Sequence, residues 1–304
     1  MDTIVDKQFL WAKRKGIALD EKHPYTKDLR DNLFQDLSTK TKEEFEKADG
    51  GELKATDDKP EKMAALRSSS ALCVNIMDYF RNKPDELLKL MVAMRLISSK
   101  NDSKAELSFE CKDFKIAANG KHISTPNIDA VIRTTRANKK HTFIIESKFT
   151  EPYFAHTGNF FRLDYYLSEN IPDIWRGPLR DLYRKFGIAD AQETLRTSNK
   201  RSVVGKYIKQ DFKHLDAAQL TKHLMGTLQK EKPSNVTLVY LWYDKLGEEG
   251  AEHRREIEKF KEMLNDTKIN FKHCTYQEIV LNLHKLLDYN NHRNYLNYVS
   301  ERYL

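Results

Sequence analysis

Three residues in this chain have the types and spacing for phosphate chemistry: Asp129, Glu146 and Lys148. They lie in NIDAVIRTTRANKKHTFIIESKF (127–149), two apolar, strand-like runs joined by a polar, basic loop. Side chains alternate faces along a strand, so Glu146 and Lys148 point one way while Ile145, Ser147 and Phe149 point the other. A carboxylate and an ammonium on a core strand are costly unless they pair or bind a metal. If the two runs pair as a hairpin, Asp129 joins them. Two carboxylates and a lysine then converge, a set suited to metal-assisted phosphodiester cleavage. The bland alternative is an inter-strand salt bridge between Lys148 and either carboxylate.

The elements that must position these residues follow from periodicity. A helix is expected over residues 1–22, ended by His23-Pro24, and a second over Leu29–Phe45. ADGGELKATDDKPEK (48–62) is turn-rich and suits a linker or mobile loop. Helices follow near 64–81 and 84–97, with Pro84 in the first turn of the latter. AELSFECKDFKI (105–116) alternates, which sets Leu107, Phe109 and Cys111 on one face and Glu106, Ser108 and Glu110 on the other. Strands are expected at 128–133 and 142–149. A long aromatic and basic insertion occupies 153–210. A helix is expected over 214–230, a buried central strand over 236–244, a helix over 248–266, a strand over 269–276 and a last core helix over 277–288.

The Asp, gap, Glu-x-Lys pattern resembles the PD-(D/E)XK nuclease superfamily. Asn127-Ile128-Asp129 stands where that superfamily often has Pro-Asp, and Glu146-Ser147-Lys148 matches the second half. GGEL (50–53), KMAALRSSSALCVN (62–75), FEC (109–111), ESKFTEP (146–152) and LDAAQLTKHLMG (215–226) resemble, in order, the blocks of a prokaryotic restriction-endonuclease-like branch. The likeness spans about residues 45–290. It implies an α/β fold, a mixed central β-sheet flanked by helices, with N-terminal helices and the basic insertion added. The implied division is an N-terminal helical region with a Gly-rich loop (1–62) and a nuclease domain (63–304).

The resemblance favours catalysis over the salt bridge. It implies Mg²⁺, with Mn²⁺ as substitute, held by Asp129, Glu146 and the backbone carbonyl of Ser147. Lys148 would stand by the attacking water and the phosphate, and Glu110 would reach a second metal. Gln219, Lys222 and His223 share one helix face. That face lies opposite Leu220, Leu224 and Leu228 and is either the wet side of the helix or a set of phosphate contacts. Ser68, Ser69 and Ser70 cap a helix or, through Ser69, approach DNA. Glu52 has no assigned role beside a plain turn. The partners implied are DNA and a second copy of the chain in a homodimer. The activity implied is a DNA endonuclease of the restriction or phage-defence kind. The alternatives are a structure-specific or repair nuclease, and a non-catalytic nucleic-acid-binding protein that keeps the fold.

Composition sets bounds on all of these readings. No apolar run approaches the ~20 residues that span a bilayer. The three cysteines are scattered, which fits buried thiols in a reducing cytoplasm and not a disulfide framework or zinc site. Residues 176–232 carry 13 Lys/Arg against 6 Asp/Glu, which accounts for the whole net charge of +7. Such a basic segment beside a carboxylate site suggests a polyanion; a solvated helix face is the competing reading. If Arg196, Lys200, Arg201 and Lys206 contact phosphates, a quadruple Lys/Arg→Gln variant should bind all duplex sequences more weakly. Its slope of log K against log salt should flatten by about 0.9 for each phosphate it no longer neutralises. Binding titrations at several salt concentrations test this, and superimposable slopes would refute it.

Overall fold

The run expected to be the central strand lies at the heart of a five-stranded sheet. The computed structural model describes residues 3–48, 51–57, 59–98, 104–118, 121–154, 160–161, 179–187, 208–209 and 212–304. Within them, β1 (Lys104–Cys111), β4 (Ile128–Arg136), β5 (Lys139–Lys148), β6 (Val236–Trp242) and β7 (Asn270–Thr275) form the sheet in the order β1-β4-β5-β6-β7. The first three are antiparallel; β5, β6 and β7 are parallel. A small hairpin of β2 (Ile116–Ala118) and β3 (Lys121–Ser124) stands beside it. All seven residues of β6 are buried, as a strand covered on both faces requires.

The helices are α1 (Thr3–Arg14), α2 (Thr39–Lys47), α3 (Ser69–Met77), α4 (Pro84–Ala93), α5 (Arg180–Lys185), α6 (Ala217–Thr227), α7 (Glu248–Leu264), α8 (Tyr276–Leu286) and α9 (Tyr289–Tyr303). They cover the sheet on both sides. On one side Leu107, Phe109, Ile132, Ile145 and Leu241 pack against α3, α4, α8 and α9. On the other, Val131, Ile144, Leu238 and Tyr240 pack against α5, α6 and α7. Each fully buried Leu, Ile or Val contributes about 1.5–3 kcal/mol, so these two layers supply the main drive to fold.

Several elements differ from the sequence-based expectations. The first helix stops at Arg14 instead of reaching residue 22, because Gly16 takes a left-handed backbone (φ 66°) and turns the chain. The helix expected over Leu29–Phe45 is a short 3₁₀ turn (Leu29–Asn32) followed by α2, which starts afresh where the Ser38 side chain accepts from Thr41 N–H. The β4 and β5 strands run longer than expected and meet in a two-residue turn, with Ala137 and Asn138 both at positive φ. Helix α9 has no counterpart in the sequence reading. Its buried face is mostly Tyr295, Leu296, Val299 and Tyr303, and Arg302 on it stacks 4.1 Å over the Trp11 ring of α1.

Two features bear on the site. Strand β1 is an edge, and its outward backbone groups are taken by side chains. Phe109 N–H donates to Glu44 Oε2 (3.0 Å) and Arg81 donates to Leu107 O (3.1 Å), while Arg81 pairs with Glu44. Thr41 and Asp78 complete this buried network, with Arg81 donating to the Thr41 hydroxyl (2.7 Å) and that hydroxyl to Asp78 (2.5 Å). The second feature is the footing of the insertion. His214 Nδ1 lies 2.6 Å from Pro152 O, and the Glu256 carboxylate of α7 accepts from the backbone N–H groups of Lys213, His214 and Leu215.

Helix α6 comes unusually near the start of β4. A Cβ added at Gly226 would lie 2.8 Å from Pro126 Cγ and 2.9 Å from Phe114 O. Real side chains do not approach backbone that closely. Gly226→Ala should therefore lower stability by about 1–3 kcal/mol, the usual cost of overpacking. An unchanged denaturation midpoint would contradict this packing.

Candidate active site

The β4–β5 register continues from Ala130↔Ile145 so that Asp129 lies opposite Glu146. There the ladder changes character: Ser147 N–H donates to Asp129 Oδ2 at 2.7 Å. The Ser147 side chain points to the far face, where its hydroxyl lies 2.5 Å from Tyr276 OH of α8. Glu146 and Lys148 point together toward α6. Lys148 Nζ is 2.5 Å from Glu146 Oε1 and donates to Gln219 Oε1 at 3.0 Å. His223 Nε2 is 2.6 Å from Glu146 Oε2. The polar stripe on α6 is thus turned inward, and the wet-face alternative is ruled out for Gln219 and His223.

Burial acts on every charge here, and the partners decide the outcome. For Glu146 burial opposes ionisation, but Lys148 and His223 outweigh it and hold the carboxyl at about 2. Burial also opposes the Lys148 charge, yet Glu146 and Asp129 carry its ammonium above the ordinary lysine value. Asp129 fares differently. Burial, then repulsion from Glu146, pushes it well above the usual carboxylate range, although Lys148 pulls the other way. One carboxylate of the pair is stabilised as an anion and the other is not.

Glu110 corrects an expectation. It does not share the open face of Glu106. Its backbone is left-handed (φ 47°), which breaks the alternation of β1. Cys111 consequently packs with Phe114 and Val131 in the layer opposite Leu107 and Phe109, not beside them. Glu110 is buried and accepts a hydrogen bond from Asn127 Nδ2. Burial pushes its carboxyl up to about 7; Asn127 opposes that, while Glu52 and Glu146 add to it. Glu52, in the turn before Met63, is itself raised by burial, against the pull of the Ser70 hydroxyl and Lys62.

Oxygen donors therefore converge with too little positive charge to match them. Glu146 Oε1 is buried and makes no hydrogen bond of good geometry, Lys148 being in ion-pair contact only; Asn127 Oδ1 is buried and unpaired. Among the described residues, no three His, Cys, Asp or Glu side chains come close enough to hold an ion by themselves. The arrangement suits a hard cation taken by one or two carboxylates and completed by backbone and water oxygens, the habit of Mg²⁺.

The remaining expectations divide. Ser68, not Ser69, caps α3 by accepting from Ala71 N–H, and Ser69 is half-buried in the first turn. Lys222 is half-buried on α6. Arg196, Lys200, Arg201 and Lys206 lie outside the described residues. All three cysteines are free and buried. Sequence reasoning gave no role to Asn127, Tyr276, Gly226 or the Glu44–Arg81 pair. Asn127 had a signal in its place beside Asp129; Glu44 and Arg81 had none, since they meet only through the fold.

A mixed sheet with Asp129 and Glu146-x-Lys148 on adjoining strands and a helix across them defines a restriction-endonuclease-like nuclease of the PD-(D/E)XK class. More particularly, residues 7–304 match the family described as "Restriction Endonuclease associating with ARP", and the chain belongs to that family. No curated protein and no solved structure matches it.

The raised carboxyls give a pH test. A carboxyl whose pKa is higher folded than unfolded leaves stability intact below the unfolded value and removes it as pH rises through the folded one. With chelator present, the protein should lose stability as pH climbs from about 4.5 to about 7. Glu110→Gln should lose less across that window. Thermal unfolding of both proteins across the pH series checks this; parallel curves would contradict it.

Proposed function

We propose that this chain is a Mg²⁺-dependent DNA endonuclease of the restriction or phage-defence kind, with Asp129, Glu146 and Lys148 as its catalytic set. The observation that carries the reading is the buried Glu146–Lys148 pair facing Asp129 across the β4–β5 hairpin, in a chain of a restriction-endonuclease family. Asp129, Glu146 and the Ser147 carbonyl would hold the cation, and Glu110, whose carboxyl feels the Glu146 charge, would serve a second one. When bound, a divalent cation polarises the phosphate and makes water a better nucleophile.

The protein's own part is positioning and charge. Glu146 and Gln219 fix the Lys148 ammonium, which Glu146 and Asp129 keep protonated against the effect of burial. Lys148 offsets the negative charge that grows as the water oxygen closes on phosphorus and the bond to the leaving sugar oxygen breaks. Fixed donors in a site sheltered from water need no reorganisation during that step. The basic insertion would follow the DNA backbone. Two-fold DNA sites favour a homodimer. The family's description names an associated partner, ARP, and we extend that association to this chain. Among the described residues no helix is long and apolar enough to cross a membrane. Three buried free thiols suit a reducing compartment, and we place the protein in the cytoplasm.

Asp129→Ala and Glu146→Ala should each abolish cleavage of mixed DNA substrates in Mg²⁺ while leaving DNA binding largely intact. Mn²⁺ should support cleavage, and Ca²⁺ should support binding with little turnover. Cleavage by either variant at the wild-type rate, or full activity in excess EDTA, would sink the assignment.

A further inference from the structure

Helix α6 sets two side chains on the Glu146–Lys148 pair, one turn apart. Gln219 takes a hydrogen from Lys148. His223 takes the other side: its Nε2 is 2.6 Å from Glu146 Oε2, and both side chains are 1 % exposed. A carboxylate oxygen only accepts, so the Nε2–H donates.

This histidine is expensive to bury. Its second nitrogen, Nδ1, is enclosed with no hydrogen-bond partner. Leaving a buried polar atom unsatisfied is unfavourable. The neighbouring positions Leu220 and Leu224 show that an apolar side chain packs well on this helix. Packing alone therefore gives no reason for a histidine. The bond to Glu146 does. It holds Oε2, while Lys148 lies 2.5 Å from Oε1 in ion-pair contact, so the carboxylate is gripped from both sides and its orientation is fixed. At 1 % exposure His223 has no surface to offer a phosphate, and its Nε2 is already committed.

We propose that His223 is a positioning residue. It locks the Glu146 carboxylate through its Nε2–H in the orientation it needs to serve as a ligand, and it touches neither DNA nor metal. This inference rests on the reading of Glu146 as a metal ligand. Gly226, less than one turn further along α6, packs the same helix against Pro126 and Phe114.

The test uses His223→Leu, which fills the space without a donor, and His223→Gln, whose amide restores one. Partners behind a metal ligand are commonly worth 10–100-fold in affinity or rate. Calorimetric Ca²⁺ titration should show His223→Leu weakened by about 10–100-fold, with His223→Gln recovering most of the loss. Single-turnover cleavage in Mg²⁺ should follow the same order. DNA affinity at saturating Ca²⁺ should stay within about twofold of wild type.

Wild-type Ca²⁺ affinity in His223→Leu would overturn the proposal. Equal weakening in both variants would make the ring a packing element and overturn it too. Weakened DNA binding with intact Ca²⁺ affinity would make it a phosphate contact instead. Should His223→Leu fail to fold, histidine-nitrogen NMR on the wild-type chain decides. The expected spectrum has Nε2 protonated and its resonance shifting when Ca²⁺ is added; a resonance indifferent to Ca²⁺ would refute the role. Wild-type protein that binds no Ca²⁺ at all would instead overturn the metal reading of Glu146, while an Nε2–H signal altered by Glu146→Gln would still report the contact.

Discussion

Placing opposite charges on an otherwise apolar strand is the constraint from which the rest of the structure follows. Glu146 and Lys148 are both withdrawn from water, which is unfavourable for either alone. Their mutual attraction recovers the loss only if further polar partners reach them. Those partners must come from the layer above β5, and α6 supplies them with Gln219 and His223. The same helix packs against Pro126 and Phe114 at residue 226, where a side chain would not fit. A histidine and a glutamine that look unrelated in the sequence thus answer one electrostatic demand. The demand is not fully met. Asp129 and Glu110 remain carboxyls whose burial resists their ionisation, and that deficit of positive charge is what a cation would fill.

Much of the fold was legible because period-two and apolar runs report burial directly. The face-sharing of Glu146 and Lys148 and the buried β6 came from such patterns, whereas the mixed sheet was implied by the family resemblance. The misreadings have local causes. Alternation through β1 failed at Glu110, because a left-handed residue reverses the faces and glutamate gives no warning of that backbone state. The segment Leu29–Phe45 has helical composition, yet Ser38 starts a new helix inside it. Helix α9 went unmarked because tyrosines, asparagines and histidines dominate its sequence, and its apolar stripe is partly aromatic.

The candidate site was legible in its charged residues and opaque in their supports. Asp129, Glu146 and Lys148 stand out as charges in apolar surroundings. The polar stripe of α6 looked like a solvated surface because a stripe facing a buried ion pair has the same composition as one facing water. The Glu44–Arg81 clamp on β1 joins residues far apart in sequence, and no local pattern foretells it. Its effect is local all the same. It satisfies the edge of β1 at Leu107 and Phe109, just before the chain turns at Glu110.

The footing of the basic insertion has a consequence for variation. The chain leaves the core at Pro152 and returns at His214, and those two residues are hydrogen-bonded to each other. Glu256 fixes the return through three backbone donors. Among the described residues of this excursion, α5 is anchored as well, packing Leu182 and Tyr183 into the layer of α6 and α7. Doubling the length of such an excursion adds only about 0.6 kcal/mol of closure cost. A change of length on either side of α5 therefore leaves the Pro152–His214 contact in place. Variation within the excursion can in this way spare the β4–β5 hairpin and α6.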